Sequence, residues 1–542
     1  MSVRKTLEEL LATAVGNAGK NKDLHGFIMP ASTVRAIENP EFGDYTSTLP
    51  FQLSKVWMMP PHEVGGLLTD ELAEIAPKDY FKSIQVVKGF LNFALSDDAY
   101  TDELAEILAQ KKKYGNSKAQ KKRKIQIEFI SGNPTGLLTL GNGRGAFLGD
   151  ALAHALARAG HSVTREYYVN DAKASTQIRE LGKTGLGIGT TYLTDHLKEK
   201  IAALKPKIDA LKKKQPKNIE GEVGHLLARA VHEDNAEFIA KKLKVDFDLF
   251  FSEEDLYKKK GVDTLLKELK AKDLAYEKEG AWWFRAKDFG DTDDRVLVRA
   301  TGEPTYFLPD LAYHYDKLAV RKFDEVVDIV GADHHGYAIR LGAALKALGF
   351  DLMRLRVIIS QLVRLMKNGE EVKMSKRAGQ FVLLEELIDE VGIDAARFFF
   401  LAQSPDTHMD FDMDLAKEQS NKNPVYYVQY SHARIASILK KAGKVAAKPK
   451  LGLLKSPEEL ALLKVLARFP EIIEETAQDY HVLRLTTYAT DVARAFHYFY
   501  EKQRVISDDK ALTAARLALV SGAQIVLKNT LDTMGISAPE KM

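Results

Sequence analysis

Hydrophobic positions change period several times along the chain. Leu7, Leu10, Leu11, Ala14 and Val15 recur at helical spacing, Ser83–Val87 and Phe90–Ala94 have the character of strands, and helical spacing returns from Asp98. Residues 1–115 therefore predict a small α+β N-terminal domain, closed by the basic stretch 111–124. Next, Ile125-Gln126-Ile127-Glu128-Phe129-Ile130 alternates like a buried strand, a glycine-rich turn follows, and Arg144 to Ala159 has helical composition. Such a strand, turn and helix open an α/β nucleotide-binding unit. Val163–Val169 continues it as a second strand, and 185–260, rich in lysine and helix formers, reads as a helical insertion. Strand character returns at Arg295–Arg299, Val326–Val330 and Leu355–Ile359. Residues 116–414 thus predict a split, doubly wound parallel sheet. Residues 415–542 show only helical patterns, at Val425–Leu439, Pro457–Phe469, Leu483–Phe499 and Ala511–Leu527, and predict an all-α C-terminal domain.

Composition narrows the function classes. A chain of 542 residues exceeds one ordinary core, and 45% apolar with 28% charged residues matches globular averages. No apolar run approaches the roughly 20 residues that cross a bilayer, so no membrane partner is expected. Glu8 and Glu9 interrupt what a signal peptide keeps apolar. The absence of cysteine excludes disulfides, thiolate zinc sites and cysteine nucleophiles, so no structural zinc is expected and a cytoplasmic location is. A net charge of +3 neither demands nor forbids RNA. Lys111–Lys113 with Lys121, Lys122, Arg123 and Lys124 could meet phosphates, although a solvated linker is the better reading, and Lys212, Lys213 and Lys214 read as a solvated helix face.

Two segments carry chemistry. The turn after the first strand runs Ser131-Gly132-Asn133-Pro134-Thr135-Gly136-Leu137-Leu138-Thr139-Leu140-Gly141-Asn142-Gly143-Arg144-Gly145. Its glycines at 141, 143 and 145 let phosphate approach the backbone and the helix N-terminus. Taken alone, this spacing with Glu166 about twenty residues later imitates a dinucleotide fingerprint. The third glycine is one position early, however, and a hydride-transfer enzyme has no use for the second segment, Val372-Lys373-Met374-Ser375-Lys376-Arg377-Ala378-Gly379. Two lysines, a serine and an arginine within five residues suit charge developing on a triphosphate, whereas such a segment alone is more often a solvated basic turn.

As a pair, in this order, the two segments resemble the signatures of class I aminoacyl-tRNA synthetases. The likeness is closest to arginyl-tRNA synthetases and covers nearly the whole chain. It extends through Tyr167-Tyr168-Val169-Asn170-Asp171-Ala172, Pro304-Thr305-Tyr306-Phe307, Asp310-Leu311-Ala312-Tyr313-His314, Gly331-Ala332-Asp333-His334-His335-Gly336-Tyr337 and Tyr427-Val428-Gln429-Tyr430-Ser431-His432-Ala433-Arg434-Ile435 to the ending Met534-Gly535-Ile536-Ser537-Ala538-Pro539-Glu540. The resemblance implies a Rossmann-like catalytic core with a KMSKR loop at 373–377, and an anticodon-binding C-terminal domain. It also implies ATP-dependent ligation of L-arginine to tRNA(Arg) through arginyl-adenylate, releasing AMP and diphosphate. ATP with Mg2+, arginine and tRNA(Arg) are then the partners, and a monomer is expected.

Site roles follow from the same resemblance. Glu128 and Asn133 hold the amino-acid end of the substrate, while Tyr306 and Asp310 take the guanidinium, whose five donors need carboxylates and carbonyls in one plane. Otherwise Glu128 reads as a strand-end carboxylate, Asp310 as a helix cap and Tyr306 as a core aromatic. Thr139, Asn142, Lys373, Ser375 and Lys376 are the catalytic candidates. ATP falls to Gly141, Gly143, Asp333, His334, Lys373, Met374, Lys376 and Arg377. Adjacent His334 and His335 cannot readily face one ion, so no protein metal site is read there. Tyr426, Tyr427, Gln429 and Tyr430 are candidates for tRNA bases, with core packing an equal reading for at least two of the tyrosines.

The chain departs from the family where histidine normally stands, at Thr139 and Asn142. Loss of a charge-assisted hydrogen bond costs about 1.5–3 kcal/mol, or roughly ten- to a hundredfold in rate. Thr139 keeps a hydroxyl and Asn142 an N–H2, so an active enzyme is expected. The alternative is a non-catalytic or weakly active tRNA-binding relative.

Overall fold

The computed structural model describes residues 2–21, 29, 33–37, 39–119, 121–332, 335–372, 382–443 and 448–542. Its centre is a five-stranded parallel sheet in the order Leu355–Ser360, Glu325–Gly331, Lys124–Glu128, Ser162–Val169, Leu249–Ser252. The inner strands are short apolar runs buried on both faces, as expected of parallel strands joined by crossovers. From Lys124–Glu128 the sheet first grows to one side and then resumes on the other with Glu325–Gly331. The crevice between these two strands is therefore the topological switch point, where ligands of doubly wound sheets bind.

Two expectations need correction. Leu249–Ser252 does not belong to the helical insertion: it pairs with Ser162–Val169 as the edge strand of the central sheet. A four-residue apolar run between lysine-rich helices carries too few alternations to announce a strand. Conversely, Arg295–Val298 is no part of the central sheet. It pairs antiparallel with Ala281–Phe284, which pairs with Ala275–Lys278, in a separate three-stranded sheet.

The insertion consists of Thr176–Leu186, Asp195–Lys214 and Ile219–Phe238. Its first and last helices touch backbone to backbone. A Cβ on Gly182 would lie 1.8 Å from the Glu220 carbonyl oxygen, and one on Gly224 would lie 1.8 Å from that of Ile178. Lys212, Lys213 and Lys214 are exposed on the middle helix.

Before the catalytic sheet, helix Val3–Asn21 and a four-stranded sheet precede Asp97–Gln110. Ser96 caps that helix by accepting from the Ala99 N–H, with Asp97 and Asp98 in its first turn. Helix Asp97–Gln110 packs on Pro457–Ala467 and Lys510–Thr533 of the C-terminal bundle. Lys510–Thr533 is long and apolar enough to cross a bilayer, against the expectation that no segment approached this. Leu519, Val520 and Leu527 are buried within the bundle, and a helix with partners on several sides is apolar around its circumference.

Candidate active site

A cleft of about 1200 Å³ opens at the switch point. Seven residues singled out in the sequence line it together: Glu128, Asn133, Thr139, Gly141, Asn142, Tyr306 and Asp310. Gly143 lies behind them, buried where a Cβ would approach Leu384 Cδ1 to 2.6 Å. Asp333 and His334, and the whole segment Lys373, Met374, Ser375, Lys376 and Arg377, lie outside the described residues. The chain on either side of that segment is held at the cleft. Val372 donates its N–H to the Leu365 carbonyl, Leu140 to that of Val382, and Leu384 to that of Leu138. Residues 382–384 are thus tied to the first signature.

Glu128 ends the first strand, and the backbone turns sharply behind it through two non-glycine residues of positive φ, Ile130 at 67° and Ser131 at 37°. A β-branched residue there is strained, and such strain concentrates at functional sites. The turn folds Ser131 back, so that its Oγ donates to Glu128 Oε1 at 2.9 Å and accepts from the Tyr168 N–H at 3.1 Å. Lys317 Nζ holds the other Glu128 oxygen at 2.6 Å. Burial nevertheless keeps the Glu128 carboxyl above its usual range, against the pull of Lys317.

Thr139 stands at the N-cap of helix Leu140–Arg158. Asn142 Oδ1 accepts from the Thr139 N–H at 2.9 Å and from the Thr139 hydroxyl at 3.1 Å. Thr139 and Asn142 therefore bond to each other and close the helix start. One turn on, buried Arg144 donates to the carbonyls of Gln361 (3.0 Å), Thr407 (2.7 Å) and Ser404 (2.5 Å). This guanidinium ties the first signature helix to the chain that flanks strand Val363–Lys367.

Tyr306 and Asp310 sit one turn apart at the start of helix Phe307–Tyr315. Tyr306 is exposed, and its hydroxyl accepts from Arg340. One oxygen of Asp310 is buried with no hydrogen-bond partner among the described residues. A buried carboxylate oxygen left open costs free energy until a donor arrives.

Sequence reasoning missed Glu253. It follows the edge strand, lines the cleft and is buried, and burial together with Asp171 and Asp310 pushes its carboxyl up to about 8. It also missed Lys317, His314 and Asp328, which join Glu128 to Asp310 along the floor of the cleft. The signal was present in Val326-Val327-Asp328-Ile329-Val330, where a carboxylate interrupts a buried strand and demands a partner.

Far along the chain, on helix Pro424–Ala442, Tyr426 and Tyr430 stack with centroids 6.2 Å apart, and Tyr427 stacks on His497 at 5.1 Å. Gln429 faces inward. Its amide nitrogen donates to Asp394 at 2.9 Å and to the Ser537 carbonyl at 3.0 Å.

Comparison with known proteins agrees with this architecture. Residues 3–95 match the family described as arginyl tRNA synthetase N terminal domain. Residues 103–213 and 217–437 match tRNA synthetases class I (R), catalytic domain, and 428–542 match the DALR anticodon binding domain. The chain is 43% identical over 538 residues to the arginine–tRNA ligase of Geobacter sp. (strain M21), with 95% of each covered. It is 38% identical over 568 residues to that of Staphylococcus carnosus, covering 100% of this chain and 99% of the relative. Among solved structures, Thermus thermophilus arginyl-tRNA synthetase matches in fold with a TM-score of 0.78 at 23% identity over all of both chains. On these matches along its whole length, the chain belongs to the arginyl-tRNA synthetase family of class I aminoacyl-tRNA synthetases.

Proposed function

We propose that this protein ligates L-arginine to tRNA(Arg) at the expense of ATP, through an arginyl-adenylate and with release of AMP and diphosphate. The observation that carries the choice of substrate is the buried oxygen of Asp310, unpartnered among the described residues, in a cleft that Glu253 also lines. A planar cation with five donors satisfies both carboxylates, and a neutral or shorter side chain leaves them unpaired. Tyr306 closes over the guanidinium, while Glu128 and Asn133 meet the α-amino and carboxylate end.

ATP, entering with its Mg2+, lies along the first signature. Gly141 and Gly143 let the backbone approach it, Asp333 and His334 take the nucleoside side, and Lys373, Met374, Ser375, Lys376 and Arg377 form the basic loop over the phosphates. Because the Asn142 oxygen is taken by Thr139, its N–H2 is the group that remains to meet a phosphate. No covalent enzyme intermediate is required: the arginine carboxylate attacks the α-phosphate, diphosphate leaves, and the protein supplies positioning and electrostatic stabilisation.

The C-terminal bundle reads the anticodon arm through Tyr426 and Tyr430, with Tyr427 backed by His497, and the N-terminal domain meets the tRNA body. Gln429 serves this surface from within, since its amide hydrogens are spent on Asp394 and Ser537. A cytoplasmic monomer completes the proposal. Arginine-dependent ATP–pyrophosphate exchange, with and without tRNA, is the test. Exchange with arginine is expected, more strongly with tRNA present; exchange driven better by another amino acid, or none in either condition, contradicts it.

A further inference from the structure

Five side chains form a chain of alternating charge along the floor of the cleft. Lys317 Nζ donates to Glu128 Oε2 at 2.6 Å and to Asp328 Oδ1 at 2.9 Å. The second oxygen of Asp328 meets His314 Nε2 at 2.7 Å, and His314 Nδ1 lies 2.9 Å from the Asp310 carbonyl oxygen and 3.4 Å from Asp310 Oδ1. Lys317, Asp328 and His314 are 0%, 3% and 2% exposed; Asp328 and His314 line the floor of the cleft with Glu128 and Asp310, and Lys317 lies behind them. Strand register creates the need for this arrangement. Glu128 and Asp328 are paired positions on neighbouring parallel strands, so their carboxylates stand side by side and repel unless a cation comes between them. Lys317 reaches that place on the π-helical turn Asp316–Val320, which continues helix Phe307–Tyr315, and sits 4.1 Å above the Tyr313 ring. Such wide turns are frequent at functional sites.

We propose that Lys317, Asp328 and His314 are positioning residues, a buried charge bridge that fixes the separation of the Glu128 and Asp310 carboxylates and thereby selects the length of arginine. This rests on the assignment of Glu128 to the α-amino end of the substrate and Asp310 to its guanidinium. Arginine presents two cationic groups at the two ends of one chain, and a homologue longer or shorter by one methylene can satisfy only one end if the two carboxylates cannot shift. A hydrogen-bonded bridge inside a close-packed interior resists that shift. The bridge also keeps its own members charged. Burial and Lys317 push the His314 imidazole down, but Asp328 and Asp310 outweigh them and carry it up to about 10. Burial pushes Asp328 up, yet Lys317 and His314 hold it well below its usual range. Among the described residues, the other groups that face the bridge are Tyr313, Glu166 with its partner Arg321, and, beside Asp310, Glu253 and Tyr168.

The test uses the full-length enzyme in pyrophosphate exchange with arginine, homoarginine and 2-amino-4-guanidinobutanoate, from about pH 5 to 9. The unaltered enzyme should prefer arginine to each homologue by roughly tenfold or more. Asp328→Asn keeps the shape and removes the central charge, and should cut that preference by at least about fivefold. Lys317→Met should move the acid limb of kcat/KM for arginine to higher pH, because Glu128 loses the cation that holds its proton off. Folded variants that keep both the preference and the acid limb, whatever their kcat, would overturn the bridge. If Lys317→Met does not fold, His314→Gln repeats the length test from the other half, and unfolding in all three variants would assign the bridge to stability alone and overturn it too. An unaltered enzyme that shows no exchange on arginine sinks the site assignment itself. An active one whose variants are indifferent sinks only the bridge.

Discussion

Glu253 and Asp310 reach the cleft from two different helices, and Asp310 is among the groups that raise the Glu253 carboxyl. Burial, Asp171 and Asp310 carry that carboxyl up to about 8, so it is mostly protonated at neutral pH. A bound guanidinium reverses the balance: a cation against a buried carboxyl favours the ionised form and lowers its pKa. Arginine binding near pH 7 should therefore release a proton, approaching one per site. Calorimetry in buffers of different ionisation enthalpy measures this directly, and Glu253→Gln should abolish it. Binding without proton release would remove Glu253 from the guanidinium site. At this scale the sequence showed only part of the site. Glu128, Asn133, Tyr306 and Asp310 were legible through the strings they stand in, because those strings resemble a family. Glu253, Lys317, Asp328 and His314 owe their place to strand register and a wide helical turn, which bring together positions far apart in sequence.

Among the elements, the first signature helix is closed at its start by two neutral side chains. Histidines at 139 and 142 would offer donors that can carry charge. Here Thr139 and Asn142 cap the helix with each other through the Asn142 oxygen, and the proposal gives the Asn142 amide to phosphate. Asn142→Ala removes both functions. It should cost about 1 kcal/mol of stability as a lost cap, and lower the activation rate by roughly ten- to a hundredfold if the amide meets a phosphate in the transition state. Denaturant unfolding and single-turnover adenylate formation separate the two effects, and a stability loss with an unchanged rate would confine Asn142 to the cap. Most elements were legible from period alone, since the inner strands and the bundle helices are strongly patterned. Helices Pro61–Ile75 and Phe469–Asp479 were not read, and the two strands that were misplaced are short. Leu249–Ser252 offers four residues, and Arg295–Val298 is strand-like in composition but has antiparallel partners that no pattern within it specifies.

Across the whole molecule, the C-terminal tail returns to the catalytic core. Buried Arg397 donates to Asp150 on the signature helix at 2.7 Å, to the Met534 carbonyl at 3.1 Å, and to the carbonyls of Leu243 (2.7 Å) and Lys244 (3.0 Å) after the insertion. Gly535 has φ +67°, and a Cβ there would stand 2.1 Å from the same guanidinium, which gives a physical reason for glycine in the ending Met534-Gly535-Ile536. One arginine thus joins the bundle, the chain that follows the insertion and the signature helix. All of this machinery serves the choice of one cationic amino acid. The most direct measurement of that choice compares kcat/KM for arginine with that for citrulline, which has the same shape and no charge. The unaltered enzyme should favour arginine by roughly 10⁴ or more, and Asp310→Asn should reduce that ratio by at least about a hundredfold while leaving KM for ATP in place. A ratio untouched by Asp310→Asn, or a loss that falls on ATP instead, would contradict the account.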